Sequence, residues 1–219
     1  MSTRGLYGFR KDGVDKTTYN HYDSYPEGLG FAIAQFCANT SEEEMNRIFD
    51  AIVMVREGDE MTEEQAAFCE KHGLSDTGVS TGSRFDWYCA LNRAQGKPEL
   101  LKELVEKEGF AFMLDDCGFI RDSLWCEYAY IINLDTHMLE FWKGFQQSPQ
   151  MGNRYGRVMK NGYYPCRLVT KIRLRDITSP QDVVEILNKR TKEASLSDRI
   201  AEQVNAVWQK LEEEGSDTI

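Results

Sequence analysis

The alternation of apolar and polar positions divides the chain into an opening hairpin, a helical middle and a second set of strands. Residues 4–11 and 16–22 are strand-like and flank Asp12 and Gly13, which predicts a β-hairpin with a tight turn. Apolar positions then recur with helical spacing over much of residues 40–109, and from Phe110 they alternate as in strands. Strands, helices, strands and helices in this order predict an α+β fold.

Residues typical of helix ends lie at the boundaries of the predicted helices. Ser41 and Glu44 form a capping box before an apolar stripe that reaches Val53, and Pro98 and Gly109 bracket the helical segment PELLKELVEKE. Helices are also predicted over residues 62–71, 84–95 and 179–187, and along a last stripe of Leu196, Ile200, Val204, Val207, Trp208 and Leu211. We therefore expect a helical middle segment and C-terminal helices.

The later strands are predicted over EYAYIINLDTHMLEFWKGF, with a tight turn in the middle, and over residues 167–175. Because the connections between these strands are too short for repeated crossover helices, we expect an antiparallel sheet. A single α+β domain is expected over residues 1–219, with residues 40–109 as a candidate helical lobe and residues 215–219 as a frayed tail.

Composition and charge narrow the classes of function. A formal net charge of −10 argues against a duplex-DNA binder, which needs a dominant basic face. No apolar run approaches the ~20 residues that span a bilayer, and MSTRGLYGFR lacks the apolar core of a signal peptide, so we expect a cytoplasmic protein without a membrane partner. The six cysteines contain no CxxC pair, which predicts reduced thiols, no metal site and no cofactor. Four acids would bind Mg²⁺ only if the fold brought them together, and we expect them to be loop residues: Asp115, Asp116, Asp122 and Glu127.

Positive charge is concentrated in a segment that has no acids. Residues 154–175 carry seven basic side chains and no acidic one, whereas residues 41–70 carry ten acidic and two basic ones. Arginine, lysine and tyrosine side chains beside glycines are suited to a phosphate-containing small molecule or to a single-stranded nucleic acid. The loop over residues 146–163 is then a candidate mobile cover of a site. The candidate ligand-binding residues are Tyr155, Arg157, Lys160 and Arg173, together with Tyr22 from the N-terminal segment.

A structural explanation of the same charges stays open. Arg167, Lys171, Arg173 and Arg175 occupy alternate positions of the predicted strand, so they are expected to share one face. Such a face is also typical of the solvated side of an antiparallel sheet, partly neutralised here by the acidic helices.

The N-terminal segment offers a catalytic alternative. Removal of Met1 would expose Ser2, whose own amine can act as its base, as in N-terminal-nucleophile hydrolases. His21 and Asp23 are two residues apart and would share a face on a strand, which suits a base and its orienting acid. No GxSxG or cysteine-protease motif accompanies them, and a hydrogen-bonded structural histidine is the simpler interpretation. The run from Tyr19 to Tyr25 nevertheless carries more hydrogen-bonding side chains than the end of a hairpin requires, which indicates the rim of a site.

The opening residues resemble a known protein family. TRGL, the DG turn and YNHYDSYPEGLG are similar to the N-terminus of small uncharacterised proteins from tailed phages and bacteria, and YAYIINLDTHMLEFWKG is similar to a later strand pair of theirs. The similarity covers residues 3–30 well and residues 125–145 loosely. It implies a phage-type accessory protein that works in the host cytoplasm on host physiology or host defence, and it brings no catalytic residues with it.

These observations predict a protein that binds a small anionic, nucleotide-like ligand or a host protein and so counteracts host defence. The alternative is a hydrolase, either of the N-terminal-nucleophile type through Ser2 or dependent on His21 and Asp23. A third possibility is a protein-interaction module that works through the acidic helices, and the sequence leaves these classes open.

Overall fold

The structure, a computed structural model, describes residues 2–78 and 82–195. Its strands are β1 Gly5–Lys11, β2 Val14–Asn20, β3 Ile52–Val55, β4 Ala111–Leu114, β5 Tyr128–Asn133, β6 Met138–Lys143 and β7 Arg167–Arg173. Five of them form a sheet in the order β2-β1-β5-β6-β7, and β3 and β4 form a separate pair. The sheet and the helices that pack on it confirm the α+β fold.

One pairing in the five-stranded sheet is parallel, so the sheet is mixed rather than purely antiparallel. Strands β1 and β5 run in the same direction, from Gly5 opposite Tyr128 to Arg10 opposite Asn133. The other three pairings are antiparallel, as expected. Parallel strands need a long crossover connection, and here the whole chain between the hairpin and β5 supplies it. The expectation considered only strands that follow each other directly and therefore missed this pair.

Six α-helices lie in the described residues, and most begin and end where the sequence indicated. They are α1 Phe31–Asn39, α2 Glu42–Ala51, α3 Glu63–Lys71, α4 Trp87–Ala90, α5 Pro98–Glu108 and α6 over residues 180–195. The capping box of α2 is confirmed, because the Glu44 N–H donates to the Ser41 hydroxyl at 3.2 Å and the Ser41 N–H donates to the Glu44 carboxylate at 2.9 Å. Gly109 ends α5 in the left-handed conformation, with φ at 80°.

Two helix predictions need correction. The predicted helix over residues 84–95 is the short α4 followed by a 3-10 turn, Asn92–Ala94, because Gln95 leaves the helical region with ψ at 134°. The stripe that reaches Val53 stays helical only to Ala51, because the β-branched sequence IVMV forms β3. The stripe from Leu196 to Leu211 and the tail at 215–219 lie outside the described residues. In the part of the chain that the structure describes, no helix is long and apolar enough to cross a lipid bilayer.

The two faces of the five-stranded sheet support different cores, because successive strand residues point to opposite sides. Tyr7, Phe9 and Tyr130 pack against the apolar sides of α1, α2 and α5 in one core, which we name the helical side. Leu6 and Trp142 belong to the second core, which is covered by loops and which we name the loop side. Those loops contribute Ile120, Cys126, Tyr155 and Cys166.

A buried carboxylate ties the loop at residues 146–163 to the sheet. Glu140, in β6, is fully buried and lies 2.6 Å from the guanidinium of Arg154 and 3.8 Å from the ammonium of Lys171. Glu140 also accepts hydrogen bonds from Asn133 Nδ2 at 2.8 Å and Trp142 Nε1 at 3.1 Å. Two cations of the basic segment therefore neutralise a carboxylate of the protein itself.

The same network reaches the N-terminal hairpin. The Arg154 guanidinium donates to the Tyr155 hydroxyl at 2.9 Å, and this hydroxyl donates to the Asp15 carboxylate in β2 at 3.0 Å. Asp15 is in turn paired with Arg10 at 2.8 Å. The loop at residues 146–163 and the N-terminal hairpin thus meet at Asp15, on the loop side of the sheet. They do not meet at the polar residues that follow β2.

A β-bulge divides the basic strand. Lys171 lies opposite Glu140 and Arg167 lies opposite Lys143, and these two partners are three residues apart in β6. Arg167 and Lys171 are therefore on opposite faces of the sheet. Arg175 lies beyond the strand, in a 3-10 turn. The prediction that the four basic residues of this segment share one face is wrong, because the bulge shifts the alternation.

Replacing Glu140 by glutamine should destabilise the protein strongly. The substitution keeps the size of the side chain but removes the buried carboxylate that pairs with the half-buried guanidinium of Arg154. We expect the free energy of unfolding to fall by about 3 kcal/mol in urea denaturation.

A matched control is Lys107→Ala, which removes the exposed pair of Lys107 with Glu103, separated by 3.4 Å, from α5. This change should lower the free energy of unfolding by about 0.5 kcal/mol or less. Equal stability of the two variants would contradict a structural role for the buried network.

Candidate functional site

The polar run after β2 forms one wall of a cleft. The cleft has a volume of about 630 Å³ and lies between residues 20–32 and residues 88–97. Leu29 and Leu91, from the two walls, belong to the same core as Tyr7, which places the cleft on the helical side of the sheet. Its polar and aromatic lining comes from His21, Tyr22 and Asp23 on the near wall and from Tyr88, Arg93 and Lys97 on the far wall.

The near wall is held by the buried amide of Asn20. The Asn20 Nδ2 donates to the Tyr22 carbonyl and to the Ser24 hydroxyl, the second at 2.8 Å. The buried hydroxyl of Tyr130 donates to the Ser24 carbonyl at 2.9 Å. Asp23 adopts a left-handed conformation, with φ at 51°, within this turn. Strand β2 therefore ends at Asn20, and the three residues that follow leave the sheet and line the cleft.

The imidazole of His21 is positioned by Tyr19. The Tyr19 hydroxyl lies 2.7 Å from His21 Nδ1, and burial raises the pKa of Tyr19 to about 12. The hydroxyl is thus protonated near neutral pH, and a hydrogen bond joins it to the His21 ring. The Asp23 carboxylate lies beside the Tyr25 hydroxyl and raises the pKa of Tyr25. Because the strand has already ended, the alternation that suggested a His21 and Asp23 pair does not apply.

Two tyrosine rings stand on opposite walls of the cleft. Tyr22 is 66% exposed and packs edge-on against His21, with ring centroids 4.3 Å apart. Tyr88 is half-buried at the start of α4, where its N–H donates to the Asp86 carboxylate at 2.8 Å. Such rings at the rim of a cleft offer flat surfaces on which a planar ligand can stack.

A glycine lets the two walls approach each other closely. Gly96 has φ at 68°, and a Cβ atom on it would lie 2.6 Å from Asn20 Oδ1. Any other residue would strain the backbone and press on the amide that organises the near wall. The Tyr7 hydroxyl also donates to the Ala94 carbonyl at 3.4 Å, which attaches the far wall to the sheet.

Arg93 and Lys97 give the cleft its positive charge. Both side chains are exposed, and the Arg93 Nε atom is 3.9 Å from the Asp76 carboxylate. Lys97 makes no ion pair with any residue that the structure describes. The guanidinium of Arg154, by contrast, forms an ion pair with the buried carboxylate of Glu140. The cations of the cleft are thus available to an external anion, unlike those of the network on the loop side.

The side chains of the cleft are suited to binding. They supply aromatic rings, two cations and amide groups, which together recognise a planar group and an adjacent anion. Within the described residues, the lining of the cleft includes no serine, threonine or cysteine. The candidate nucleophile Ser2 lies just before β1 and is not part of this lining.

The loop at residues 146–163 places its candidate residues away from the cleft. Tyr155 is buried in the core on the loop side of the sheet. The Lys160 ammonium lies 3.1 Å from the buried carboxylate of Asp122, and the Arg157 guanidinium donates to the Met151 sulfur at 3.1 Å. Tyr155 and Lys160 therefore fix the loop to the rest of the protein, and Arg157 makes a contact within the loop. The structure does not bring these three side chains to Tyr22.

Arg173 lines a different cleft of about 340 Å³, together with His137 and Glu42. His137 Nδ1 and the Glu42 carboxylate are 2.5 Å apart in its wall. Of the residues singled out from the sequence, His21, Tyr22 and Asp23 come together in the cleft, whereas Arg173 stands apart from them.

The far wall was missed at the level of sequence. Tyr88 and Arg93 fall in the stretch that the pattern assigned to one helix over residues 84–95, and Lys97 lies between that helix and the one that begins at Pro98. The polar sequence NRAQGK interrupts the apolar stripe there, and this interruption was the available signal of a turn at the surface. No local pattern, however, indicates that this turn would face the residues after β2.

The acids considered for Mg²⁺ serve separate structural roles. Asp116 accepts a hydrogen bond from the Tyr19 N–H at 3.0 Å, and Glu127 accepts one from the Arg4 N–H at 3.2 Å. Over residues 2–78 and 82–195, no three histidine, cysteine, aspartate or glutamate side chains are grouped so that they could hold a metal ion.

Comparison with known proteins gives no match: no protein-family model, no curated protein and no solved structure matches the chain. The case for a function rests on the cleft itself, on its two tyrosine rings and on the cations of its far wall.

Replacing Asp116 by asparagine should remove a pH-dependent cost of folding. Burial raises the pKa of Asp116 from 3.8 to about 6, so between these values the folded protein keeps a proton that the unfolded chain has released. Release of this proton by the unfolded chain alone therefore lowers the free energy of unfolding as the pH rises through this window. We expect the free energy of unfolding of Asp116→Asn, relative to that of the wild type, to rise by about 2 kcal/mol between about pH 4 and pH 7.5. Urea denaturation at each pH measures this difference.

Glu43→Gln, at an exposed position of α2, provides the control because it removes a carboxylate that is not buried. Its stability difference from the wild type should stay nearly constant with pH. A flat difference for Asp116→Asn as well would contradict the raised pKa.

Proposed function

We propose that the protein binds a small anionic ligand that carries a planar ring, of the nucleotide type, in the cleft between residues 20–32 and 88–97. The observation that carries this proposal is the meeting of an exposed tyrosine ring, Tyr22, with two exposed cations, Arg93 and Lys97, across one cleft. A nucleotide presents the matching groups, a flat base and a phosphate, a few ångströms apart.

The charge distribution supports an anionic ligand. The protein has a net charge of −10, yet the far wall of this cleft carries Arg93 and Lys97. The near wall contributes the Asp23 carboxylate, which lies beside the Tyr25 hydroxyl. A local cationic wall on an acidic protein favours a small anion over a long polyanion such as duplex DNA.

Binding without conversion is the activity that fits this lining best. His21 is held by Tyr19 at 2.7 Å, and no serine, threonine or cysteine stands beside it among the described residues that line the cleft. The N-terminal segment resembles phage proteins. A phage protein that sequesters a host nucleotide would counteract host defence. The hydrolase alternative predicts instead that a bound nucleotide is converted.

Removing the two cations of the far wall should abolish most of the binding. In isothermal titration calorimetry, we expect AMP to bind the wild type and adenosine to bind it more weakly. We expect Arg93→Ala with Lys97→Ala to weaken AMP binding by about tenfold or more, because charge-assisted hydrogen bonds are lost. Tyr22→Ala should weaken AMP and adenosine by a similar factor, because both stack through the same base.

The matched control is Arg157→Ala with Arg173→Ala, which removes the same number of positive charges from the basic segment. AMP binding should be unchanged in this protein and lost in the far-wall variant. The reverse result would place the site in the basic segment and overturn the proposal for the cleft. Chromatography of the recovered ligand should return AMP unchanged, and a converted product would favour the hydrolase.

A host protein is the second candidate partner, and the loop at residues 146–163 favours it. Met151 and Val158 are 84% and 83% exposed there, and Arg157 lies between them in sequence. Exposed apolar side chains grouped with an arginine are typical of protein interfaces.

If this loop contacts a host protein, Met151→Asp with Val158→Asp should remove a partner that the wild type retains from bacterial lysate. The two substitutions are at exposed positions, so the thermal midpoint should be unchanged and AMP binding should persist. Retention of the same partner by both proteins would contradict a role for the loop.

A further inference from the structure

The cleft adjoins a second one that shares its cationic wall. This second cleft has a volume of about 470 Å³ and lies between α1, the end of α3 and the start of α5. Both clefts are lined by Ala32, Arg93, Gly96 and Lys97. Because they share these residues, the two clefts adjoin at Arg93 and Lys97, and we name the pair the groove and each cleft one of its lobes.

The first lobe, which we name the tyrosine lobe, contains Tyr22 and Tyr88. The second, which we name the glutamate lobe, contains Glu99 and Glu103 from α5. The groove thus presents rings at one end, cations in the middle and carboxylates at the other end. A ligand that fills it should carry its negative charge in the middle, since a second anionic group in the glutamate lobe would be repelled.

The glutamate lobe also presents an unused hydrogen-bond acceptor. The Glu99 Oε1 atom is buried and receives no hydrogen bond from the described residues. A buried carboxylate oxygen without a donor has lost its hydrogen bonds to water and has gained no other. A ligand whose N–H group donates to this oxygen therefore binds more tightly. His72 lines the same lobe with a largely buried ring that packs on Phe68, with centroids 4.6 Å apart, and its Nε2 lies 2.9 Å from the Glu108 carboxylate.

We propose that the groove binds a dinucleoside phosphate, a ligand with two bases joined through a phosphodiester. This inference rests on the proposed function. One base stacks in the tyrosine lobe, the linking phosphate pairs with Arg93 and Lys97, and the second base lies beside His72 with its exocyclic amine donating to Glu99. Each lobe is of the size that holds one drug-sized group, which leaves half of the groove empty around a mononucleotide.

The test compares two probes of equal charge by isothermal titration calorimetry. ApA has two adenosines joined by a phosphodiester, and adenosine 5′-methyl phosphate has one adenosine and the same phosphodiester charge. We expect ApA to bind the wild-type protein at least about tenfold more tightly, because only ApA reaches the glutamate lobe.

Variants in the glutamate lobe should affect only the probe with two bases. Gln35, an exposed residue of α1, lines this lobe, and Gln35→Trp would fill it. We expect this variant to bind ApA no more tightly than the methyl ester, with the affinity for the methyl ester unchanged. Glu99→Ala should weaken ApA by about tenfold and leave the methyl ester unaffected. Retained binding of the methyl ester also shows that each variant is folded.

Glu106→Trp is the matched control, because it places the same ring at an exposed position of α5 that does not line the groove. It should leave both affinities unchanged. If the methyl ester binds in an Arg93- and Lys97-dependent manner but ApA binds no more tightly, the dinucleoside ligand is wrong and the proposed function stands. If neither probe nor AMP binds, the proposed function fails as well.

Discussion

Two parallel strands cannot be joined by a tight turn, and β1 and β5 are parallel neighbours at the centre of the sheet. The chain between them has to leave the hairpin, cross one face of the sheet and return to the same end. Its helices cover the helical side and bury Tyr7, Phe9 and Tyr130. The crossover also lays residues 88–97 over the end of β2, where Gly96 meets the Asn20 amide. The groove is therefore a product of this one pairing.

The two sides of the sheet use charge in opposite ways. On the loop side, Arg154 and Lys171 neutralise the buried Glu140, and the geometry of this network holds the loop in place. On the helical side, Arg93 and Lys97 are exposed in the wall of a groove. A cation that already has a buried partner gains little from an external anion, whereas an exposed cation in a cleft can bind one. In the richest cluster of basic residues in the sequence, Arg154, Lys160 and Lys171 are thus paired with buried carboxylates of the protein.

Much of the local structure could be predicted from the sequence. The hairpin around Asp12 and Gly13, the capping box of Ser41 and the end of α5 at Gly109 depend on neighbouring residues, and they lie where the pattern placed them. The separation of Arg167 and Lys171 onto opposite faces was not predictable, because the bulge opposite β6 depends on how two strands pair. The run after β2 was indicated as a rim by its excess of polar side chains, and it does line the cleft.

The sequence by itself determined the class of the fold, the ends of most helices and the near wall of the site. These follow from turn chemistry, capping and periodicity, which act over a few residues. Only the tertiary structure decided which basic residues meet a buried carboxylate and which line a cleft, since Arg154 meets Glu140 and Arg93 lines the groove through contacts between distant segments. The far wall lies about seventy residues from the near wall in the chain, and the parallel crossover that joins them leaves no local trace in either segment.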